Sequence, residues 1–152
     1  MKKVLDIDDI MTRAKIACEI FGQYNQEKVD KIVRAVYEAG FNQRIQLARM
    51  ACEETGIGKW EDKTAKNIIA TRYLYHDIKD IKTAGIISEN SGRQITEVAK
   101  PIGPIFAITP ITNPTSTALF KILIALKTRN PIIIRPHGAA KKCTEIGRAS
   151  CR

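Results

Sequence analysis

The residues with the most chemistry to offer cluster between positions 109 and 116. Thr109-Pro110-Ile111-Thr112-Asn113-Pro114-Thr115-Ser116 follows an apolar run, Gly103 to Thr109, and precedes a helical pattern. An apolar run of that length suits a strand buried on both faces. Open α/β sheets take ligands where a strand's carboxyl end turns into a helix. A helix start there offers free N–H groups, which favour anions and polar ligands. Thr112, Asn113, Thr115 and Ser116 add hydroxyl and amide groups. Two readings stay open at this point: the polar residues hold a ligand, or they simply cap the helix. Neither a GxGxxG run nor a Walker loop follows the strand, so the ordinary dinucleotide fingerprint is missing.

Arg135-Pro136-His137 closes a second apolar run, Ile132-Ile133-Ile134. In a parallel sheet this puts a cation and an imidazole on the same edge as the first loop. Contact with a ribose or phosphate is one reading, and a solvated strand end is the other. His76, among Tyr73, Tyr75 and Asp77, is expected to be structural. Trp60 is expected to anchor a core or an interface. Lys121 and Lys127 are expected to be exposed helix charges. Cysteines 18, 52, 143 and 151 show neither metal spacing nor a CxxC pair. Cys18, Cys52 and Cys143 have no evident base or helix N-terminus beside them, so none reads as a nucleophile.

The elements that must position these groups are legible from periodicity. Asp6 or Asp8 can cap a helix running to about Phe21 and ended by Gly22. Asn25 opens a second helix with Val29, Ile32, Val33 and Val36 on one stripe, punctuated by Gly40. A third is expected from about Asn42 to Thr55, closed by Gly56-Ile57-Gly58. A fourth spans about Glu61 to Lys79, with two acids at its positive end. The period then switches to two. Thr83 to Ser88 and Gln94 to Ala99 read as a hairpin turned at Asn90-Ser91-Gly92. The strand from Gly103, a helix from Thr115 to Thr128, the strand at Ile132, and a helix starting from Gly138 to Lys142 make a βαβ unit with a parallel sheet.

The chain has 152 residues, enough for one core, and a formal net charge of +9. Its basic residues are dispersed among acids and not interleaved with aromatics, so nucleic acid is not expected as a partner. No apolar run reaches the roughly 18–20 residues of a membrane helix. Met1 to Asp6 turns acidic at once, so no export signal is expected, and the cysteines read as thiols of a cytoplasmic protein. Glu145 to Arg152, EIGRASCR, back-translates to the start of a common sequencing adapter. These residues are expected to be a non-native tail at the point where a sequencing read stopped.

Taken together, the residues resemble a known family. PIGPIFAITPITNPTSTALFKILIALKTRNPIIIRPH is similar to the cofactor-binding region of CoA-acylating aldehyde dehydrogenases. The nearest likeness is to the aldehyde dehydrogenase half of bifunctional aldehyde–alcohol dehydrogenases. YNQEKVDKIVRA, ARMACEETGIGKWEDK and IKDIKTAGIIS agree in order and content. The resemblance covers nearly all of residues 1–144.

It implies an α/β aldehyde dehydrogenase-like fold. Residues 1–82 would be its N-terminal helical part and 83–100 its oligomerisation hairpin. Residues 101–144 would hold the first βαβ of an incomplete Rossmann-like NAD domain. The implied reaction is aldehyde + CoA + NAD⁺ giving acyl-CoA + NADH, through a cysteine thiolate. Ile108, Thr109, Pro110, Ile111, Thr112 and Asn113 would line the NAD site. Arg135 and His137 would face the adenosine ribose.

Non-acylating relatives carry a Pro-Trp-Asn-Phe-Pro loop whose Asn helps bind the oxyanion. Counted from Pro110, that place falls on Thr112, with Asn113 one step later, and Asn113 is taken as the amide donor. Arg135 stands where relatives have a strand-end Lys, and it can grip a phosphate bidentately. The family's nucleophilic cysteine lies downstream of Ile132–Ile134, so residues 1–144 alone are expected to be inactive. The partners implied are an aldehyde, CoA and further copies of the same chain. Two alternatives remain: a sister enzyme acting on succinate semialdehyde or propionaldehyde, and a non-catalytic assembly fragment.

Overall fold

The computed structural model describes residues 6–149, with side chains through residue 145. Helix α1 (Ile7–Gly22) starts where Asp6 accepts the Asp8 N–H at 3.0 Å. Helix α2 (Gln26–Asn42) starts where the Asn25 side chain accepts the Lys28 N–H at 3.0 Å. Both caps satisfy N–H groups that a helix start leaves open. Val29, Val33 and Val36 are the buried stripe of α2. Gly40 does not end α2, as its identity suggested. It lies inside the helix, where an added Cβ would sit 2.8 Å from Leu119 Cδ2. Close approach of two helices, not chain reversal, is what this glycine permits.

Helix α3 (Arg44–Thr55) buries Leu47, Ala48 and Ala51, and ends at Gly56 with φ 66°. The expected fourth helix is three segments: α4 (Trp60–Ile68), a π-helical stretch over Ile69–Tyr73, and α5 (Leu74–Ile78). The sequence pattern did not show the π stretch. Buried Thr71 donates its hydroxyl to the Asn67 carbonyl at 2.6 Å. That side-chain bond occupies a carbonyl of the ordinary ladder just where the turn widens.

Strands β1 (Gly85–Asn90) and β2 (Ile95–Ala99) form the expected antiparallel hairpin, with an irregularity in register between Ile86 and Ser88. Strands β3 (Ile105–Ile108) and β4 (Ile132–Arg135) pair in parallel, Ile105 against Ile132 through Ile108 against Arg135. Helix α6 (Pro114–Lys127) is their crossover. Its Ile122 and Leu123 meet the α2 valines in the main core, with Ile132 and Ile134 packed against them. The expectation of strands buried on both faces fails. Phe106 is 61% and Ile108 62% exposed, and β4 is at most half-buried. Ala107 is the buried residue of β3. The core side is covered, and no described element covers the other.

Helix α7 (Lys141–Ala149) begins after Gly138, and Glu145 to Ala149 of the expected tail continue it. Residues 150–152 lie outside the described residues. A basic residue at the end of α6 also corrects the sequence reading. Lys127 is only 3% exposed and donates to Asp30 Oδ1 at 2.6 Å and to the Lys79 carbonyl at 2.8 Å. Arg129, with φ 59°, donates to the carbonyls of Gly22, Tyr24, Thr83 and Ala99. It thereby ties both ends of the hairpin to the α1–α2 turn.

Candidate active site

The turn from β3 into α6 is built as the strand and helix patterns required. The Thr109 N–H donates to the Arg135 carbonyl at 3.1 Å, extending the parallel pairing one residue past β3. Arg135 therefore stands beside the start of the turn. The Thr109 side chain is buried, and its hydroxyl has no partner among the described residues. Buried hydroxyls normally find one. Pro110 and Thr112 are exposed, Ile111 and Asn113 half-buried, and Ile108 presents its side chain outward.

The start of α6 separates the two readings of the polar residues. Asn113 occupies the N-cap position, with φ −137° and ψ 58°, and its side chain makes no cap bond. Pro114 follows at N1, where a missing N–H costs nothing. Asn113 instead accepts the Lys66 ammonium on Oδ1 at 2.9 Å, and its Nδ2 lies 3.5 Å from Thr112 Oγ1. Thr115 is not a cap either: its hydroxyl donates to buried Asn67 Oδ1 at 3.0 Å. Asn67 in turn donates to the Arg44 carbonyl at 2.8 Å. The simple capping reading thus fails for Asn113 and Thr115.

Beside the turn lies a groove of about 280 Å³ lined by Lys66, Ile69, Ala70, Asn113, Ser116, Thr117 and Phe120. Ile69 and Ala70 belong to the π stretch, a device often found at functional sites. His137 is exposed, and its Nδ1 accepts the Ala139 N–H at 3.2 Å, which fixes the ring at the end of β4. His76 is exposed with its ring edge-on to Tyr75. Trp60 is half-buried under the Arg49 guanidinium at 4.6 Å. Lys121 is half-buried rather than free: it donates to the Ile108 carbonyl at 2.7 Å, at the mouth of the turn.

A family profile for aldehyde dehydrogenases matches residues 2–146. The chain belongs to the aldehyde dehydrogenase family. Among curated relatives, the aldehyde-alcohol dehydrogenase of Clostridium acetobutylicum is 49% identical over 141 residues, 93% of this chain and 16% of that protein. Among solved structures, an acetylating aldehyde dehydrogenase from Geobacillus thermoglucosidasius is 42% identical with a TM-score of 0.92, covering 97% of this chain and 34% of that one. Two more distant structures carry ligands. A Rhodopseudomonas palustris propionaldehyde dehydrogenase holds CoA (27% identity, TM-score 0.77, 95% of this chain and 33% of that one). An engineered glycolyl-CoA reductase holds NADP⁺ (28% identity, TM-score 0.76, 95% of this chain and 32% of that one). The chain therefore spans about a third or less of the relatives it matches, and its fold is that of the aldehyde dehydrogenases.

The cysteines of this aldehyde dehydrogenase chain need one correction. Cys143 does sit in the first turn of a helix, α7, which the sequence reading missed. Its thiol is nonetheless unreactive in character. Burial, then the hydrogen bond and charge of Glu54, push it up to about 12. Cys18 and Cys52 are half-buried. The described residues hold no group of three or more His, Cys, Asp or Glu arranged for a metal ion. No helix of the described residues is long and apolar enough to cross a membrane.

Sequence reasoning missed Lys63, Lys66 and Asn67, the residues of α4 that hold the turn. Lys63 is 5% exposed and donates to the Thr112 carbonyl at 2.6 Å. Their spacing of three and four marks one helix face, which was readable. That this face meets a turn almost fifty residues later was not.

Proposed function

We propose that this chain is the nicotinamide-binding N-terminal part of a CoA-acylating aldehyde dehydrogenase, within an aldehyde–alcohol dehydrogenase. The reaction proposed is aldehyde + CoA + NAD⁺ giving acyl-CoA + NADH, with acetaldehyde as the substrate. The observation that carries the reading is the β3–α6 turn. It combines a buried, partnerless Thr109 hydroxyl with a helix start whose N-cap side chain is withheld from capping. That donor set suits a dinucleotide, which offers phosphate, ribose and amide oxygens. When bound, the cofactor supplies the hydride acceptor. Ile108 to Asn113 would cradle it, and exposed Arg135 and His137 would reach its ribose side. Asn113 would donate an amide N–H to the oxygen that gains negative charge during attack on the aldehyde.

The nucleophile is proposed to lie outside residues 1–144, because Cys143 is buried beside the Glu54 carboxylate, which disfavours its thiolate. CoA binding is proposed for the whole enzyme, as is self-assembly through the hairpin. The exposed Ile86, Ile87, Ile95 and Val98 of that hairpin support the assembly reading.

The test uses the enzyme expressed from the complete gene, with acetyl-CoA reduction followed by NADH absorbance. Activity that falls at least tenfold in Asn113→Ala supports the reading. A dinucleotide located by crystallography away from residues 108–113 overturns it. Residues 1–144 alone are expected to be inactive, and measurable acetyl-CoA reduction by them would refute the placement of the nucleophile.

A further inference from the structure

We propose that Lys63 and Lys66 are a positioning pair that engages the Thr112 carbonyl and the Asn113 amide oxygen of the β3–α6 turn and so leaves the Asn113 amide donors free to face a ligand. The inference rests on the reading of Asn113 given above and goes beyond it.

An asparagine amide has two chemically opposite ends, and rotation about its last bond exchanges them. With Oδ1 toward a substrate oxygen that is gaining negative charge, the residue repels the transition state. With Nδ2 toward it, the residue stabilises that state. Position alone therefore does not make Asn113 a catalytic group, and something must set the flip. An ammonium group carries donors and no acceptor. The Lys66 ammonium, 2.9 Å from Oδ1, can hold only the oxygen end. Nδ2 is then left with a long contact of 3.5 Å to Thr112 Oγ1 and a second N–H uncommitted. The charge on Lys66 also polarises the amide, which strengthens its N–H as a donor.

Lys63 does the same for the main chain. Its buried ammonium takes the Thr112 carbonyl at 2.6 Å. All peptide bonds described are trans. In a trans peptide the C=O and the following N–H point in opposite directions. With the Thr112 carbonyl drawn toward α4, the Asn113 N–H is turned away from it. The Thr112 carbonyl and Asn113 Oδ1, one backbone and one side chain, are thus both engaged by residues three apart on one helix face. The Asn113 amide donors remain. The π stretch begins two residues after the first fully buried anchor, Asn67, and brings Ile69 and Ala70 to the same groove as Lys66 and Asn113.

Lys66 is exposed in this chain, so its bond to Asn113 would be modest for stability. Its expected contribution is to orientation, which is read in turnover. Removing an oxyanion donor outright costs about 10²–10³ in kcat. Losing only the group that orients it is expected to cost roughly tenfold.

The experiment is a double-mutant cycle in the complete enzyme: Lys66→Met, Asn113→Ala and both together, with Lys66→Arg, Lys63→Met and Lys31→Met alongside. Lys66→Met is expected to lower kcat about tenfold with KM for NAD⁺ and CoA unchanged. Lys66→Arg, which is also donor-only, is expected to restore most of it. The double variant is expected to equal Asn113→Ala, because an orienter has nothing left to orient. Lys63→Met is expected to lower kcat further than Lys66→Met, and Lys31→Met to do nothing. If Asn113→Ala itself leaves kcat unchanged, the reading of Asn113 fails and this proposal falls with it. If Asn113→Ala lowers kcat but Lys66→Met does not, or if the two effects simply multiply, the positioning role alone is overturned.

Discussion

Arg129 occupies a position where identity and conformation can be separated. Its backbone is left-handed, at φ 59°, and its guanidinium serves four main-chain carbonyls from three parts of the chain. Replacing it by Gly would mix relief of a left-handed Cβ with the cost of lost donors. Arg129→Ala keeps a Cβ at that φ and removes the donors with the rest of the side chain. Buried carbonyls left without partners cost about 1–3 kcal/mol each, partly recovered by water. The expected loss is at least ~3 kcal/mol, seen as a lower urea midpoint with an unchanged slope. A midpoint equal to that of the parent chain would show that the hairpin base is held by other contacts. Little of this was readable beforehand. A helical pattern says which residues face inward, and Lys127 and Arg129 fall at the helix end where the pattern stops. Lys127's acidic partner, Asp30, lies 97 residues away. Long polar contacts leave no periodic trace, so Lys63, Lys66 and Lys127 were invisible or misread, while Asn113 and Thr109 were found because a turn after an apolar run is a local signal.

At the scale of elements, starts and stops were legible and joints between elements were not. Asp6, Asn25 and Gly56 cap as their chemistry requires. The π stretch escaped because Thr71 acts on a carbonyl one turn back, which spacing does not reveal. The joint between α3 and α7 makes a sharper case. Glu54 of α3 accepts the N–H groups of Lys142 and Cys143 at 2.9 and 2.8 Å, capping a helix 88 residues later. Burial works to raise the Glu54 carboxyl, but these N–H bonds and the Lys142 charge outweigh it and hold the group below its ordinary 4.5. A carboxyl depressed in the folded state adds stability above its unfolded value, and that stability is lost as pH falls through the folded value. Glu54→Gln is therefore expected to melt lower than the parent at pH 7, and the gap is expected to close as the pH drops below about 4.5. Thermal melts of both proteins from pH 7 to pH 3 measure it. A gap that stays constant over that range would assign the loss to shape and not to charge.

The whole molecule leaves two apolar surfaces uncovered, and they differ in kind. One is the outer side of β3, where Phe106 and Ile108 stand exposed near Phe120 of α6. Among the described residues the parallel sheet has two strands, β3 and β4, so its outer edges also carry unpaired backbone groups. Such an edge associates without a fixed geometry or stoichiometry. The other surface is the hairpin, whose Ile86, Ile87, Ile95 and Val98 project from a twisted two-stranded ribbon anchored at both ends by Arg129. An anchored ribbon holds these side chains in a fixed arrangement over its two faces, which favours a closed assembly of fixed size. The 152-residue chain is therefore expected to sediment as a broad distribution, the sum of the two modes. Phe106→Ser with Ile108→Thr is expected to remove the broad component and leave one discrete oligomer. Adding Val98→Asp is expected to dissolve that oligomer to monomer with little change in melting temperature, since Val98 is half exposed already. Sedimentation velocity at several concentrations distinguishes the modes, because only a closed assembly gives a boundary that stops growing. If Val98→Asp leaves the discrete species intact, the hairpin is not the surface that holds copies together, and the assembly role given to residues 83–100 must pass to another face.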